Sequence, residues 1–349
     1  MPRCSWHSRR DRRLLAGRLP PRCSGVAPQA QRDRLRSTRR TAVRSALRDS
    51  PCRDSAVRGT GRRSAPNKIG RRATSHPSSV RCSVKAPILC DLDGVVWLMH
   101  QPIAGSVDAI TRMRAAGHRV LFVTNNSSAT LATQEAALAK IGVKAVGDVC
   151  TSAGAAALLL SPGERVLVAG GAGIVEAVAE TGATVVACTD DPMSDADFAK
   201  RAVEIDTVLV GYHNTFDYRG LTRATTPILA GARLIGTNDD PTYPTPAGLI
   251  PGGGAILAAI AKAGGVRPII AGKPFAPMGQ LVRKRLGLDD LSHAWMAGDR
   301  DSTDGAFARL IGAKFALMLS GVSESPDERT VAPDGVFADL AELADLVIS

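Results

Sequence analysis

Asp91-Leu92-Asp93-Gly94-Val95 sets two carboxylates one residue apart, directly after the apolar run Ile88-Leu89-Cys90. Side chains alternate along a strand, so Asp91 and Asp93 share a face until the chain turns at Gly94. Such a pair suits covalent phosphoryl chemistry. One carboxylate attacks and helps hold Mg²⁺, and the other trades a proton with the leaving oxygen.

Three further stretches repeat the pattern of an apolar run that ends in polar residues. Leu121-Phe122-Val123 runs into Thr124-Asn125-Asn126-Ser127-Ser128, a hydroxyl, amides and backbone N–H groups near a following helix, where an anion is welcome. Ile269-Ile270-Ala271 runs into Gly272-Lys273-Pro274, which presents one ammonium. Trp295-Met296-Ala297 runs into Gly298-Asp299-Arg300-Asp301-Ser302-Thr303-Asp304, an acid-rich loop. The set contains a nucleophile, a proton carrier, oxygen ligands for a hard cation such as Mg²⁺, and donors for phosphate oxygens. Taken singly, each motif is an ordinary turn or helix cap. All of them together, in this order and each at a strand end, point to one site.

The elements that must position these residues follow from the hydrophobic pattern. Strands are expected at 88–92, 120–124, 165–169, 184–187, 207–211, 233–237, 269–271, 294–297 and 314–318, with helical periodicity between most of them. That alternation predicts an α/β fold with a doubly wound parallel sheet, whose ligand crevice lies at the carboxyl ends of the strands. The catalytic signals fall before residue 127 and after residue 272. The middle is therefore read as an inserted, smaller α/β unit: a core of 85–162 and 253–349, and a cap of 163–252.

Charge divides the chain differently. The net charge of +11 is the sum of +19 over residues 1–85 and −8 over the remainder. Residues 1–84 form a basic leader rich in Arg, Ser and Pro, without helical or strand periodicity, and are expected to be disordered. A nucleic-acid-binding tail, a transit peptide and untranslated upstream sequence each fit this composition; the abrupt change at Val84 favours the last. Arg-rich runs without interleaved aromatics are a poor nucleic-acid signal, so no nucleic-acid partner is expected. Of the seven cysteines, Cys90, Cys150 and Cys188 lie in the body with no C-x-x-C pair, as reduced thiols of a cytoplasmic protein would. No apolar run approaches the roughly 18 residues of a membrane span, so no membrane partner is expected either.

The four motifs resemble those of the haloacid dehalogenase (HAD) superfamily: Asp-x-Asp, a strand-end Thr or Ser, a Lys, and Gly-Asp with a further Asp. More narrowly, they resemble its class IIA subgroup with a C2-type cap, which includes NagD-like enzymes and 4-nitrophenyl, phosphoglycolate and glycerol-3-phosphate phosphatases. Gly236-Thr237-Asn238-Asp239-Asp240, Tyr243-Pro244 and Pro251-Gly252-Gly253-Gly254 also fit that subgroup, and the likeness runs from Ala86 to the C-terminus. The resemblance implies that Asp91 is the nucleophile, forming an aspartyl-phosphate. Asp93 would protonate the leaving alkoxide and then activate water. Mg²⁺ would be held by the Asp91 carboxylate, the Asp93 backbone carbonyl and Asp299, with Asp304 in support through water or Lys273. Thr124, Asn125 and Lys273 would bind the transferring phosphoryl group, with Asn126 in the same loop and Arg300 outside the catalytic set. Caps of this subgroup often mediate homodimers.

Other features carry less. Gly170-Gly171-Ala172-Gly173 lacks the third glycine of a dinucleotide turn, since Glu176 stands there, and reads as a tight turn opening the cap. Tyr212, His213, Asn238, Asp240 and Pro244 are cap candidates for touching substrate, and Trp97 for shielding the site. The expected protein is a cytoplasmic, Mg²⁺-dependent phosphomonoester phosphatase whose substrate is a small phosphate ester: phosphoglycolate, glycerol phosphate, a nucleotide or a sugar phosphate. The alternative is a non-catalytic sensor of the same fold, which the intact acids Asp91, Asp93, Asp299 and Asp304 disfavour.

Overall fold

A computed structural model describes residues 85–245, 248–321 and 330–349. The basic leader, with the choice among its three explanations, lies outside the described residues. Six strands form one parallel sheet in the order Gly335–Phe337, Lys314–Met318, Trp295–Gly298, Ile88–Cys90, Val120–Thr124 and Val149–Thr151. Every residue of Ile88–Cys90 and Val120–Thr124 is buried, as continuous apolar runs in a sheet covered on both faces require. Because Ile88–Cys90 lies between Trp295–Gly298 and Val120–Thr124, the loops that begin with Asp91, Asn125 and Asp299 leave three adjacent strand ends.

A second parallel sheet has five strands in the order Ile269–Ile270, Arg233–Gly236, Thr207–Val210, Arg165–Ala169 and Thr184–Cys188. Two antiparallel hairpins complete the strand set, Trp97–Leu98 with Gln101–Pro102 and Thr242–Thr245 with Gly248–Pro251. The second sheet reaches beyond residue 252, where the sequence reading returned the chain to the core. Helix Gly253–Gly264 buries Ile256, Leu257 and Ile260 against this sheet, and Ile269–Ile270 pairs with Arg233–Gly236. The larger sheet resumes only at Trp295. A two-residue strand gives no sign in sequence of which sheet it joins, and its chemistry-bearing neighbour Lys273 suggested the core.

Apolar packing joins the two sheets. Leu89, Leu121 and Val123 of the larger sheet share one buried cluster with Val166, Val168, Leu209 and Ile235 of the second, and helix Ala276–Leu286 adds Met278 and Val282. Each such side chain contributes about 1.5–3 kcal/mol on burial, so the lobes are held by core-like contact as well as by their connections. The glycine-rich turn after Arg165–Ala169 serves the same closeness. The Gly173 N–H donates to Ser128 O at 3.0 Å, and a Cβ there would sit 2.2 Å from Ala129 O. Among the described residues no helix is long and apolar enough to cross a membrane.

Candidate active site

Asp91 follows the central strand, and the chain then curls tightly: the Val96 and Trp97 N–H groups both donate to Leu92 O, at 2.9 and 3.1 Å. Gly94 closes the curl with φ +88, and a Cβ on it would lie 2.3 Å from Asp299 Oδ2, so this position admits only glycine. The loop after Trp295–Gly298 winds as a π turn, Asp301–Gly305, before helix Ala306–Ile311. That winding carries Asp304, which meets the same Lys273 ammonium as Asp91; π turns are frequent at functional sites. Lys273 arrives from the second sheet and is 2% exposed. Its Nζ bridges Asp91 Oδ1 at 2.9 Å and Asp304 Oδ1 at 2.7 Å.

One carboxylate oxygen each from Asp91, Asp299 and Asp304 lies within 4.8 Å of the others. Three hard oxygen donors at that spacing, two of them on buried residues, fit a small hard cation such as Mg²⁺. The Asp93 carboxylate is not one of the three. Burial, then the Asp91 charge, pushes its pKa up to about 6, with Lys273 pulling the other way. Burial works to lower the Lys273 pKa, but the carboxylates of Asp304 and Asp91 more than offset it and keep the ammonium charged. Burial also pushes Asp304 up, opposed by Lys273.

A cavity of about 480 Å³ opens over this cluster, lined by Asp91, Asp93, Thr124, Lys273 and Asp299 on one side and by Tyr212 and Tyr243 on the other. The two tyrosine rings stack with centroids 5.5 Å apart. All the expected site residues except Asp304 line it, and Asp304, fully buried, meets it through Lys273. Thr124 Oγ1 accepts the Asn126 N–H at 3.1 Å.

The Asn125 side chain is engaged by protein. Its Nδ2 donates to Asp240 Oδ2 at 3.0 Å and to Lys273 O at 3.1 Å, while Oδ1 accepts the Lys273 N–H at 2.8 Å. Both amide protons are taken by protein, so the side chain ties Lys273 to Asp240. Asn126 likewise spends Oδ1 on Ser128 N and Oγ, both at 3.1 Å, shaping its own loop. Of the cap candidates, Tyr212, Asn238 and Asp240 line the cavity and His213 does not; the side chain of Pro244 lies outside the described residues. Trp97, the first residue of the hairpin, is buried and does not line the cavity. Leu98, Met99 and Arg300 line the cavity although the sequence gave no reason to include them. The Met99-His100 turn has positive φ at both residues without a glycine or asparagine to announce it.

The chain matches a family described as haloacid dehalogenase-like hydrolase over residues 88–184 and a HAD-hydrolase-like family over residues 270–343. It is 31% identical over 263 residues to an acid sugar phosphatase of Staphylococcus saprophyticus, covering 73% of this chain and 95% of that one. To a D-glycerol 3-phosphate phosphatase of Mycobacterium tuberculosis it is 37% identical over 245 residues, covering 69% of this chain and 64%, less than two thirds, of that one. A crystal structure of a glycerol phosphate phosphatase from Mycobacterium tuberculosis in complex with magnesium has TM-score 0.64 and 33% identity, covering 76% of this chain and 78% of that one. The chain belongs to the haloacid dehalogenase-like hydrolases. Within them it is a class IIA enzyme, a hydrolase of phosphoric monoesters, with the α/β fold the motifs called for.

Proposed function

We propose that this phosphatase is Mg²⁺-dependent and works through an aspartyl-phosphate on Asp91, with the larger sheet as core and the second as cap. The observation that carries the reading is the buried Lys273 ammonium held between Asp91 and Asp304, with Asp299 completing a three-carboxylate cluster under the cavity. An Asp91 oxygen attacks phosphorus as the ester P–O bond breaks, and Asp93 gives its proton to the departing alkoxide. Asp93 then takes a proton from the water that attacks the aspartyl-phosphate, releasing inorganic phosphate and restoring Asp91. Lys273 and the Thr124 hydroxyl balance charge on the phosphoryl oxygens. Asp91, Asp299 and Asp304, with the Asp93 backbone carbonyl, would hold Mg²⁺, which when bound supplies positive charge to nucleophile and phosphoryl group alike.

A cavity of about 480 Å³ suits a small metabolite. The names of the relatives favour phosphorylated polyols and sugars over phosphoglycolate and nucleotides. Cytoplasmic residence, from the reduced body cysteines, and a homodimer through the cap, from the resemblance, belong to this proposal. The test is phosphate release from a panel of these esters, with and without Mg²⁺. Asp91→Asn serves as the blank, because a neutral amide neither attacks phosphorus nor holds the cation as well. Metal-dependent release that vanishes in the variant is the expected result; release surviving in a clean preparation of the variant would overturn the assignment.

A further inference from the structure

An open α/β sheet leaves its ligand crevice at the carboxyl ends of its strands, and in the second lobe much of that edge is filled by a loop of the first. Past strand Arg165–Ala169, the Gly173 N–H donates to Ser128 O. Glu176, standing where a dinucleotide turn has its third glycine, accepts the Leu131 N–H on Oε2 at 2.7 Å. Past Thr207–Val210 lies Gly211, where a Cβ would sit 2.5 Å from Ser127 Oγ. Past Arg233–Gly236, the Thr237 hydroxyl donates to Ser127 Oγ at 3.0 Å and Asn238 Nδ2 donates to Asn125 O at 2.8 Å. Past Ile269–Ile270, the Lys273 N–H donates to Asn125 Oδ1. These strand ends together meet residues 125–131, the loop that leaves strand Val120–Thr124 beside the nucleophile. The end of the fifth strand, Thr184–Cys188, borders a separate cavity of about 300 Å³, lined by Thr189, Asp190, His213, Arg219 and Arg223 among others.

Thr237 lies where the supports of the two phosphoryl-facing groups converge. Its hydroxyl holds Ser127, in the loop that follows Thr124. Its carbonyl accepts the Gly272 N–H at 2.7 Å, one residue before Lys273. Its own N–H donates to Val210 O at 2.8 Å, on the middle strand of the second sheet. Thr237 and Ser127 are 0% and 1% exposed, so water has no access to replace either hydroxyl when its partner is removed. Ser127 lines the catalytic cavity and Thr237 does not. Thr237 can therefore act on the reaction only through where it holds the residues that do.

We propose that the second lobe is a fixed cradle for this loop, and that Thr237, acting through Ser127, is a positioning residue for phosphoryl transfer. The inference rests on the proposed reaction, in which Thr124 and Lys273 meet the transferring phosphoryl group. Transition-state charge is stabilised by donors already held in place, so a loop that drifts loses rate before it loses affinity.

The test is steady-state kinetics of the full chain on 4-nitrophenyl phosphate with Mg²⁺, Asp91→Asn again serving as the blank. Thr237→Val keeps the side chain's shape and removes the bond, and Ser127→Ala removes its other half. Each should lower kcat about tenfold while KM changes less than about threefold. The double variant should fall no further than the worse single one, as two ends of one bond require. Thr237→Ser, which restores the hydroxyl, should recover most of kcat. Four results would each overturn the proposal: parent kcat in folded Thr237→Val, a loss carried by KM, losses that multiply in the double variant, or a serine no better than the valine. Melting temperature verifies folding, and if Thr237→Val misfolds, a slow Ser127→Ala beside a fast Thr237→Ser carries the same test, with equal rates for these two overturning it. A parent without Mg²⁺-dependent turnover would remove the proposed reaction and this inference with it. An active parent matched by its variants would remove this inference alone.

Discussion

The catalytic cavity and the cavity of the second lobe obey one rule and solve it in opposite ways. Both lie at the carboxyl ends of parallel strands, where an open α/β sheet leaves its crevice. They even divide one loop, Tyr212 lining the first and His213 the second. In the catalytic cavity the buried groups are charges, and they neutralise one another: Lys273 sits between Asp91 and Asp304. In the other, Arg219 and the buried Arg223 pair with Asp195, and Thr189 Oγ1 and His213 Nε2 are buried without a partner among the described residues. Buried charge without its partner costs several kcal/mol, whereas a buried hydroxyl or imidazole costs far less. The first cavity therefore cannot lose a member without consequence, and the second can.

Removing the centre of the charged cluster tests that difference most severely. Lys273→Met leaves Asp91 and Asp304 facing each other, and breaking a buried pair in this way costs about 3–5 kcal/mol. We expect a large fall in melting temperature, partly restored by Mg²⁺, together with loss of kcat/KM by at least roughly 10²-fold, the scale of a lost transition-state donor. A variant that melts like the parent in chelator would show that the cluster does not depend on the ammonium. Asp93→Asn comes next. Loss of a general acid typically costs about 10²–10⁴-fold, and the loss should concentrate on alkyl esters, while 4-nitrophenyl phosphate, whose leaving group needs no proton, suffers much less. Equal losses on both substrates would remove Asp93 from the proton-transfer role.

The sequence made the charged cavity legible and left the neutral one unseen, for a physical reason. Asp91, Asp93, Lys273, Asp299 and Asp304 are residue types that rarely stand beside buried strands except for chemistry, and the alternation of strand and helix says which loops will meet. Each expected strand forms, with ends shifted by a residue or two. What could not be read was how side chains pair off across lobes. Nothing in Thr124-Asn125-Asn126 shows that Asp240, far along the chain, will take the Asn125 side-chain amide. Thr189, His213 and Arg223 have ordinary structural roles one at a time, and only the fold shows that they line one space. The hairpin tip at Met99-His100 was missed because its left-handed turn lacks the usual residues.

Asp240 joins the two lobes at the first cavity, since a carboxylate that follows the second sheet's strand Arg233–Gly236 accepts from an amide that follows Val120–Thr124. Asp240→Leu should free the Asn125 amide and loosen Lys273. We expect kcat to fall about tenfold, from a lost hydrogen bond to a charged group worth roughly 1.5–3 kcal/mol, with KM less affected. Asp240→Asn, which can still accept from Asn125, should recover most of the rate. If asparagine rescues nothing, Asp240 acts through its charge on the substrate and not by positioning.

The smallest effect separates the cavities most cleanly, because the same atom is removed from each. Thr124 and Thr189 are both buried threonines just beyond or at a strand end, 3% and 2% exposed. Thr124→Val deletes the hydroxyl that accepts from Asn126 and, in the proposed reaction, meets the phosphoryl oxygens, and should lower kcat by roughly 10²-fold. Thr189→Val deletes a hydroxyl that has no partner among the described residues. Exchanging an unpaired polar atom for a methyl removes nothing the folded state was using, so stability should change by less than about 1 kcal/mol in either direction. Turnover should stay at the parent value. A melting temperature several degrees below the parent would mean that the Thr189 hydroxyl has a partner essential to the lobe. The two cavities would then differ in charge alone, and not in whether the folded protein satisfies its own buried groups.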